Sequence, residues 1–159
     1  MSDTVRDAIA TELALLTQVV DFPEAPFGYG SDVWCERDVD ANVEEIDPFS
    51  TLGIAQSTLR RLDTPRGSLP DDDDYGLALR DFVNVGMTAT EVASLAGRIR
   101  NEVVKDDRID TATVTVTPTP DGSEIDILIL ITAVDLAIGE FSMTINASDA
   151  GLLMEVIGA

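Results

Sequence analysis

From Val5 the apolar residues Val5, Ile9, Leu13, Leu16 and Val20 recur at helical spacing, with Ser2 to Thr4 as cap candidates and Pro23 as a stop. The pattern predicts an amphipathic helix over residues 1–21. Residues 22–49 have no period: FPEAPFGYGSDVWC gathers four of the eight aromatics with two prolines and two glycines, and an acidic stretch, ERDVDANVEEIDPFS, follows. A loop leading into a short strand near Val33 to Arg37 is expected there. Helical spacing returns at Leu52, Ala55, Leu59 and Leu62, capped by Ser50 or Thr51, and this helix ends where Pro65 and Gly67 break the chain. Leu79, Phe82 and Val83 mark a short third helix closed near Gly86. Thr88 and Glu91 have capping-box spacing ahead of Val92, Leu95, Ala96, Ile99 and Val103, which share one helical face.

After Arg108 the period drops from about 3.6 to 2, the change that a switch from helix to strand requires. Residues 111–117, TATVTVT, alternate threonine with alanine or valine, and residues 118–123, PTPDGS, form a turn. Residues 124–134, EIDILILITAV, are apolar on both faces in the middle, as a central strand is. EFSMTIN then puts Phe141, Met143 and Ile145 on one face. The expected architecture is α+β: a single domain over residues 1–159, N-terminal helices packed on a small, mostly antiparallel C-terminal sheet of three strands. Residues 147–159, ASDAGLLMEVIGA, form an apolar tail that either its own core or a neighbour must cover, with Gly151 free to turn it back over the sheet.

Length and composition change little in that picture. A chain of 159 residues suits one domain, and 45% hydrophobic residues remove the signature of disorder. Charge matters more. Thirty acids against ten bases give a net charge of -20, which repels phosphate backbones and anionic lipid, so neither nucleic acid nor membrane is expected as a partner. The acids after Met1 do not suit a signal peptide, and no apolar run reaches a membrane span. Twenty aspartates against ten glutamates, with Lys105 the single lysine, is a bias that high salt or a GC-rich genome would produce. Cys35 stands alone, so an internal disulfide is impossible and assembly in a cytoplasm fits.

The absence of histidine removes the commonest general base and every Ser-His or Cys-His pair. Paired carboxylates are the catalytic device left, and none has a glycosidase context, so no catalytic residue is expected. Asp71 to Asp74 would suit calcium in chemistry, but counting from Asp71 puts Tyr75 at the fifth and Phe82 at the twelfth ligand position. No metal and no cofactor are expected; a solvated acidic turn suffices. Cys35, beside Trp34, reads as a structural thiol. Arg60, Arg61 and Arg66 crowd one turn beside these acids, forming either a local ion-pair cluster or bidentate clamps on carboxylates of this chain or of a neighbour.

The segment RRLDTPRGSLPDDDDYGLALRDFVN resembles the small baseplate wedge family of contractile phage tails, the T4-type subunit that starts sheath assembly and is often labelled lysozyme-like. The matching positions are Arg61, Leu62, Thr64, Pro65, Arg66, Gly67, Tyr75 and Gly76. The likeness covers roughly residues 50–146, and GYGSDV and GIAQSTLRRL resemble the Mu-like branch. A further family hallmark, Glu-Pro-Arg between the long helix and the first strand, corresponds to KDDRI at 105–109, where Arg108 and Ile109 match and Asp106 and Asp107 replace Glu and Pro.

The resemblance implies a non-enzymatic virion protein of the tail baseplate, assembled in the host cytoplasm in six copies around the tail tube and spike hub. Larger wedge subunits would hold it through their core bundle at Asp107, Arg108 and Ile109, and another wedge protein would lie beside it. Sheath arms would meet the sheet edge at Phe141, Met143 and Ile145. Arg61 and Arg66 would serve partner contacts, while Thr64, Pro65, Gly67, Tyr75 and Gly76 shape the turn. On this reading Arg108 is solvent-accessible in the free subunit. Removal of residues 151–159 is expected to leave domain unfolding nearly unchanged while blocking sheath initiation. The alternatives are a small acidic binding or decoy protein for a basic partner, and a carboxylate-dependent cell-wall hydrolase.

Overall fold

The structure, a computed structural model, describes residues 32–33 and 45–157. The helix expected over 1–21, the aromatic loop, Cys35 and most of the strand expected at Val33 to Arg37 lie outside the described residues. Strand β1 (Asp32–Val33) pairs antiparallel with β2 (Glu45–Ile46). Helix α1 (Thr51–Asp63), a 3-10 turn (Leu79–Phe82) and helix α2 (Ala89–Val103) precede strands β3 (Ile109–Pro118), β4 (Glu124–Ala133), β5 (Glu140–Ser148) and β6 (Gly151–Ile157). The last four form one antiparallel sheet in the order β3-β4-β5-β6, so the fold is α+β.

Local chemistry sets the helix ends. The Ser50 hydroxyl accepts from Gly53 N at 3.0 Å and starts α1. At its end the Thr64 hydroxyl and backbone N–H both donate to the Arg60 carbonyl. Thr88 and Glu91 form the expected capping box on α2, and the bonds Glu91 accepts from the Thr88 backbone and hydroxyl hold its carboxyl below the usual range. On α1 the inward face differs slightly from the one expected. Leu52 is exposed, and Ile54 and Thr58 are buried with Ala55 and Leu62.

The core lies between the helices and one face of the sheet. Ile125, Ile127, Ile129 and Ile131 of β4 point inward, with Ile145, Met143 and Phe141 opposite on β5 and Val116, Val114 and Ala112 on β3. Leu95, Ile99 and Val103 of α2 and Ile54, Ala55 and Leu62 of α1 belong to the same cluster. As expected β4 is central, but only one of its apolar faces is covered: Leu128 and Leu130 are exposed.

Two expectations are corrected here. The C-terminal apolar stretch is a fourth strand laid along β5, not a flap over the sheet, with Leu152, Met154 and Val156 packed on the core. Leu153 and Ile157 on the opposite face disguised its alternation as an unbroken apolar run. In consequence β5 is internal, and Phe141, Met143 and Ile145 are buried in the core, where no partner reaches them. Truncation at Gly151 should therefore weaken the domain itself.

Candidate functional site: the arginine turn and its buried carboxylates

Glu102 lies one turn below Ile99 on the inward stripe of α2 and is 1% exposed. A carboxylate so placed needs donors on all sides. Arg66 supplies Nη2 at 2.7 Å, Lys105 Nζ at 2.9 Å, Arg61 Nη1 at 3.3 Å and Gly76 its backbone N–H at 2.9 Å. The Thr-Pro-Arg-Gly turn, the end of α1 and the chain after the aspartates are thereby tied to a single side chain.

Pro65 and Gly67 shape the turn that lays the half-exposed Arg66 against Glu102; Gly67 has φ +77° with open space around it. Arg66 Nε also donates to the Gly76 carbonyl at 3.1 Å. Gly76, at φ +100°, passes so close to the Thr64 carbonyl that a Cβ would sit 2.2 Å from that oxygen. Between the two glycines Tyr75 lies under the Arg61 guanidinium, 4.2 Å from its ring centroid, and burial pushes its hydroxyl up.

Of the four aspartates, Asp74 is the one joined to this knot. It accepts from Arg66 Nη1 at 2.8 Å and from Lys105 Nζ at 2.7 Å, and the Lys105 hydrogen bond and charge hold its carboxyl low. Asp71, Asp72 and Asp73 face solvent. Outside the knot, Arg80 holds Asp63 by two hydrogen bonds of 2.6 and 2.7 Å. A shallow cleft of about 460 Å³ lies beside it, lined by Arg60, Asp63, Thr64, Pro65, Leu69, Tyr75 and Arg80.

A second polar joint occupies the turn between α2 and β3. Arg108 is 7% exposed, so the expectation of a solvent-accessible arginine is corrected. Its Nε donates to Asp106 Oδ1 at 2.8 Å, its Nη2 to Asp106 Oδ2, and its Nη1 to the Pro48 carbonyl at 2.6 Å. Burial opposes the charge on Asp106, but the hydrogen bonds and charge of Arg108, with the Arg61 charge beyond, outweigh it and hold the carboxyl below its usual range. Ile109 is buried as well, and only Asp107 of the three residues expected to meet a partner here is exposed.

The structure thus brings Arg61, Thr64, Pro65, Arg66, Gly67, Tyr75 and Gly76 together and keeps Asp107, Arg108 and Ile109 in a separate turn. Arg61 reaches Glu102, and Arg66 reaches Glu102 and Asp74, each through a single N–O contact, so within this chain they form the local ion-pair cluster rather than bidentate clamps. Glu102 is the residue the sequence reading missed. Its signal was an acid at the place on the stripe Leu95, Ile99, Glu102 where an apolar residue belongs. Such a network positions backbone, with Glu102 surrounded by cations and the Gly76 N–H.

Among the described residues no group of three or more histidine, cysteine or acidic residues could hold a metal ion, and no helix is long and apolar enough to cross a membrane. The chain matches no protein-family model and no curated protein. Among solved structures it is similar to the crystal structure of a candidate tail lysozyme from Geobacter sulfurreducens, at 19% identity, covering 67% of this chain and 89% of that one, with a TM-score of 0.48. At that level the likeness carries nothing about activity or partners.

Proposed function

We propose that this protein is a non-enzymatic structural subunit of a contractile tail baseplate, an inner wedge component that joins larger wedge subunits and starts the sheath around the tail tube. The observation that carries the reading is the convergence of the family-like residues on Glu102. Arg61, Arg66 and Gly76 bond directly to that carboxylate, while Thr64, Pro65, Gly67 and Tyr75 shape and pack the turn around it. A signature made of an internal joint belongs to a part used for its shape.

On this reading the partner contacts lie away from Arg108, Ile109 and the core-facing residues of β5, which are buried. Asp107, exposed in the 105–109 turn, would meet the larger wedge subunits, and Arg108 holds that turn in place. Strand β6, paired on one side within the sheet, takes over from β5 as the edge for sheath arms, which would add by backbone hydrogen bonding. Deleting the reading frame from the particle-producing genome tests the proposal. Tail tubes lacking sheath, restored by the wild-type chain, are expected; normal contractile tails, or loss of cell-wall lysis with intact tails, would sink it.

A further inference from the structure

The sheet face turned away from the helices departs from the chemistry of the rest of the chain. Acids number 30 in 159 residues, yet the middle of this face holds none. Leu128 and Leu130 stand side by side on β4, 45% and 44% exposed. Thr115 and Thr113 flank them on β3, Thr144 and Ser142 on β5. On β6, Ile157, 50% exposed, continues the row of Leu130, whereas Glu155 ends the row of Leu128 and Leu153 that of Asp126; Val134 and Leu136 project at the β4–β5 turn. Single exposed apolar residues are ordinary on any protein surface; an uncharged patch of two leucines flanked by hydroxyl side chains at the centre of a sheet face is not ordinary on so acidic a chain.

The rim identifies what fits. Glu124 and Asp126 lie at one end of the face, Glu140 at the other and Glu155 on the β6 side, and no lysine or arginine occurs after Arg108. A second copy would bring two such acidic rims together, and phosphate-bearing surfaces would be repelled in the same way. Strands of 10, 10, 9 and 7 residues spaced roughly 4.8 Å apart give the whole face, acidic rim included, an area on the order of 500 Å², enough for one side of a small protein interface.

We infer that the outer face of this sheet docks a protein segment with an apolar centre and a basic rim, Leu128 and Leu130 being its anchors. The inference stands apart from the baseplate reading, because the free chain tests it. Two synthetic peptides of equal charge serve as probes, one of leucine and lysine and one of serine and lysine, with affinity read by fluorescence anisotropy at physiological salt. The leucine peptide should bind roughly tenfold tighter, the order that covering two half-exposed leucines provides. The double variant Leu128→Thr, Leu130→Thr, folded by its urea midpoint, should abolish that difference. Equal binding of both peptides, or an advantage that survives in the variant, would overturn the inference. So would a wild-type dimer that the variant dissolves, since the occupant would then be a second copy. If the double variant does not fold, Glu124→Gln with Glu155→Gln decides: it should reduce the salt dependence of leucine-peptide binding, and an unchanged dependence rejects the basic rim.

Discussion

Between Thr51 and Arg108 two buried acids accept from cations, Glu102 from Arg61, Arg66 and Lys105 and Asp106 from Arg108, whereas from Ile109 onward no base occurs and the inward positions of the sheet are apolar. The two regions share one core but are specified differently. Apolar side chains of similar volume exchange at modest cost, so the sheet is tolerant in detail. A buried ion pair tolerates no vacancy, since removing one partner strands the other without water. The Asp106–Arg108 turn, buried on both sides, therefore has little latitude, and Glu102 ties the turn from Thr64 to Gly76 to one acceptor, while the sheet needs only its alternation.

Glu102→Ala should break that contrast hardest. It removes the common acceptor of Arg66, Arg61, Lys105 and the Gly76 N–H; Arg66 and Lys105 keep water and Asp74, so the cost falls on Arg61 and the buried Gly76 N–H, and urea unfolding should show a loss of about 3 kcal/mol. A loss no greater than the roughly 1 kcal/mol of an Ile129→Val substitution in the sheet would erase the distinction. Deletion of residues 151–159 probes the other side, because Leu152, Met154 and Val156 lose their partial burial and β5 becomes an edge. At about 1 kcal/mol for each half-buried side chain, a fall of roughly 3 kcal/mol is expected; unchanged unfolding would mean that the strand adds nothing to the core.

Acid should act on the polar region first. The Asp106 carboxyl is depressed in the folded state, so its contribution is present above the unfolded value near 3.9 and is lost as pH falls through the lower folded value. Amide exchange around residues 105–109 should accelerate in that window before exchange in β4 does, and Asp106→Asn should remove the difference. Simultaneous acceleration in both regions would argue against a local joint. The smallest effect belongs to Gly67→Ala. A left-handed conformation strains alanine and nothing stands near its Cβ, so thermal or urea unfolding should register about 1 kcal/mol; a stabilised variant would show that the turn relaxes freely.

Helices α1 and α2, the capping box, strands β3 to β5 and the turn at 118–123 were legible because each depends on neighbours within a few positions: apolar spacing of three and four, alternation of two, a threonine three residues before a glutamate. The tail from Gly151 to Ile157 was half legible. Its apolar content demanded cover, but whether that cover was β5 or another molecule depended on which edge the folded sheet left open. The joint at Glu102 was not legible at all. Arg61 is 41 positions away from it, Arg66 is 36 and Gly76 is 26, and no local rule joins residues at such separations. Nor could an arginine in a polar turn reveal that it would be buried against Asp106 and Pro48. Periodicity reports how a segment divides itself between water and core; which buried charge meets which is decided only when the segments pack, because desolvated ions take the partners that the finished interior places within reach.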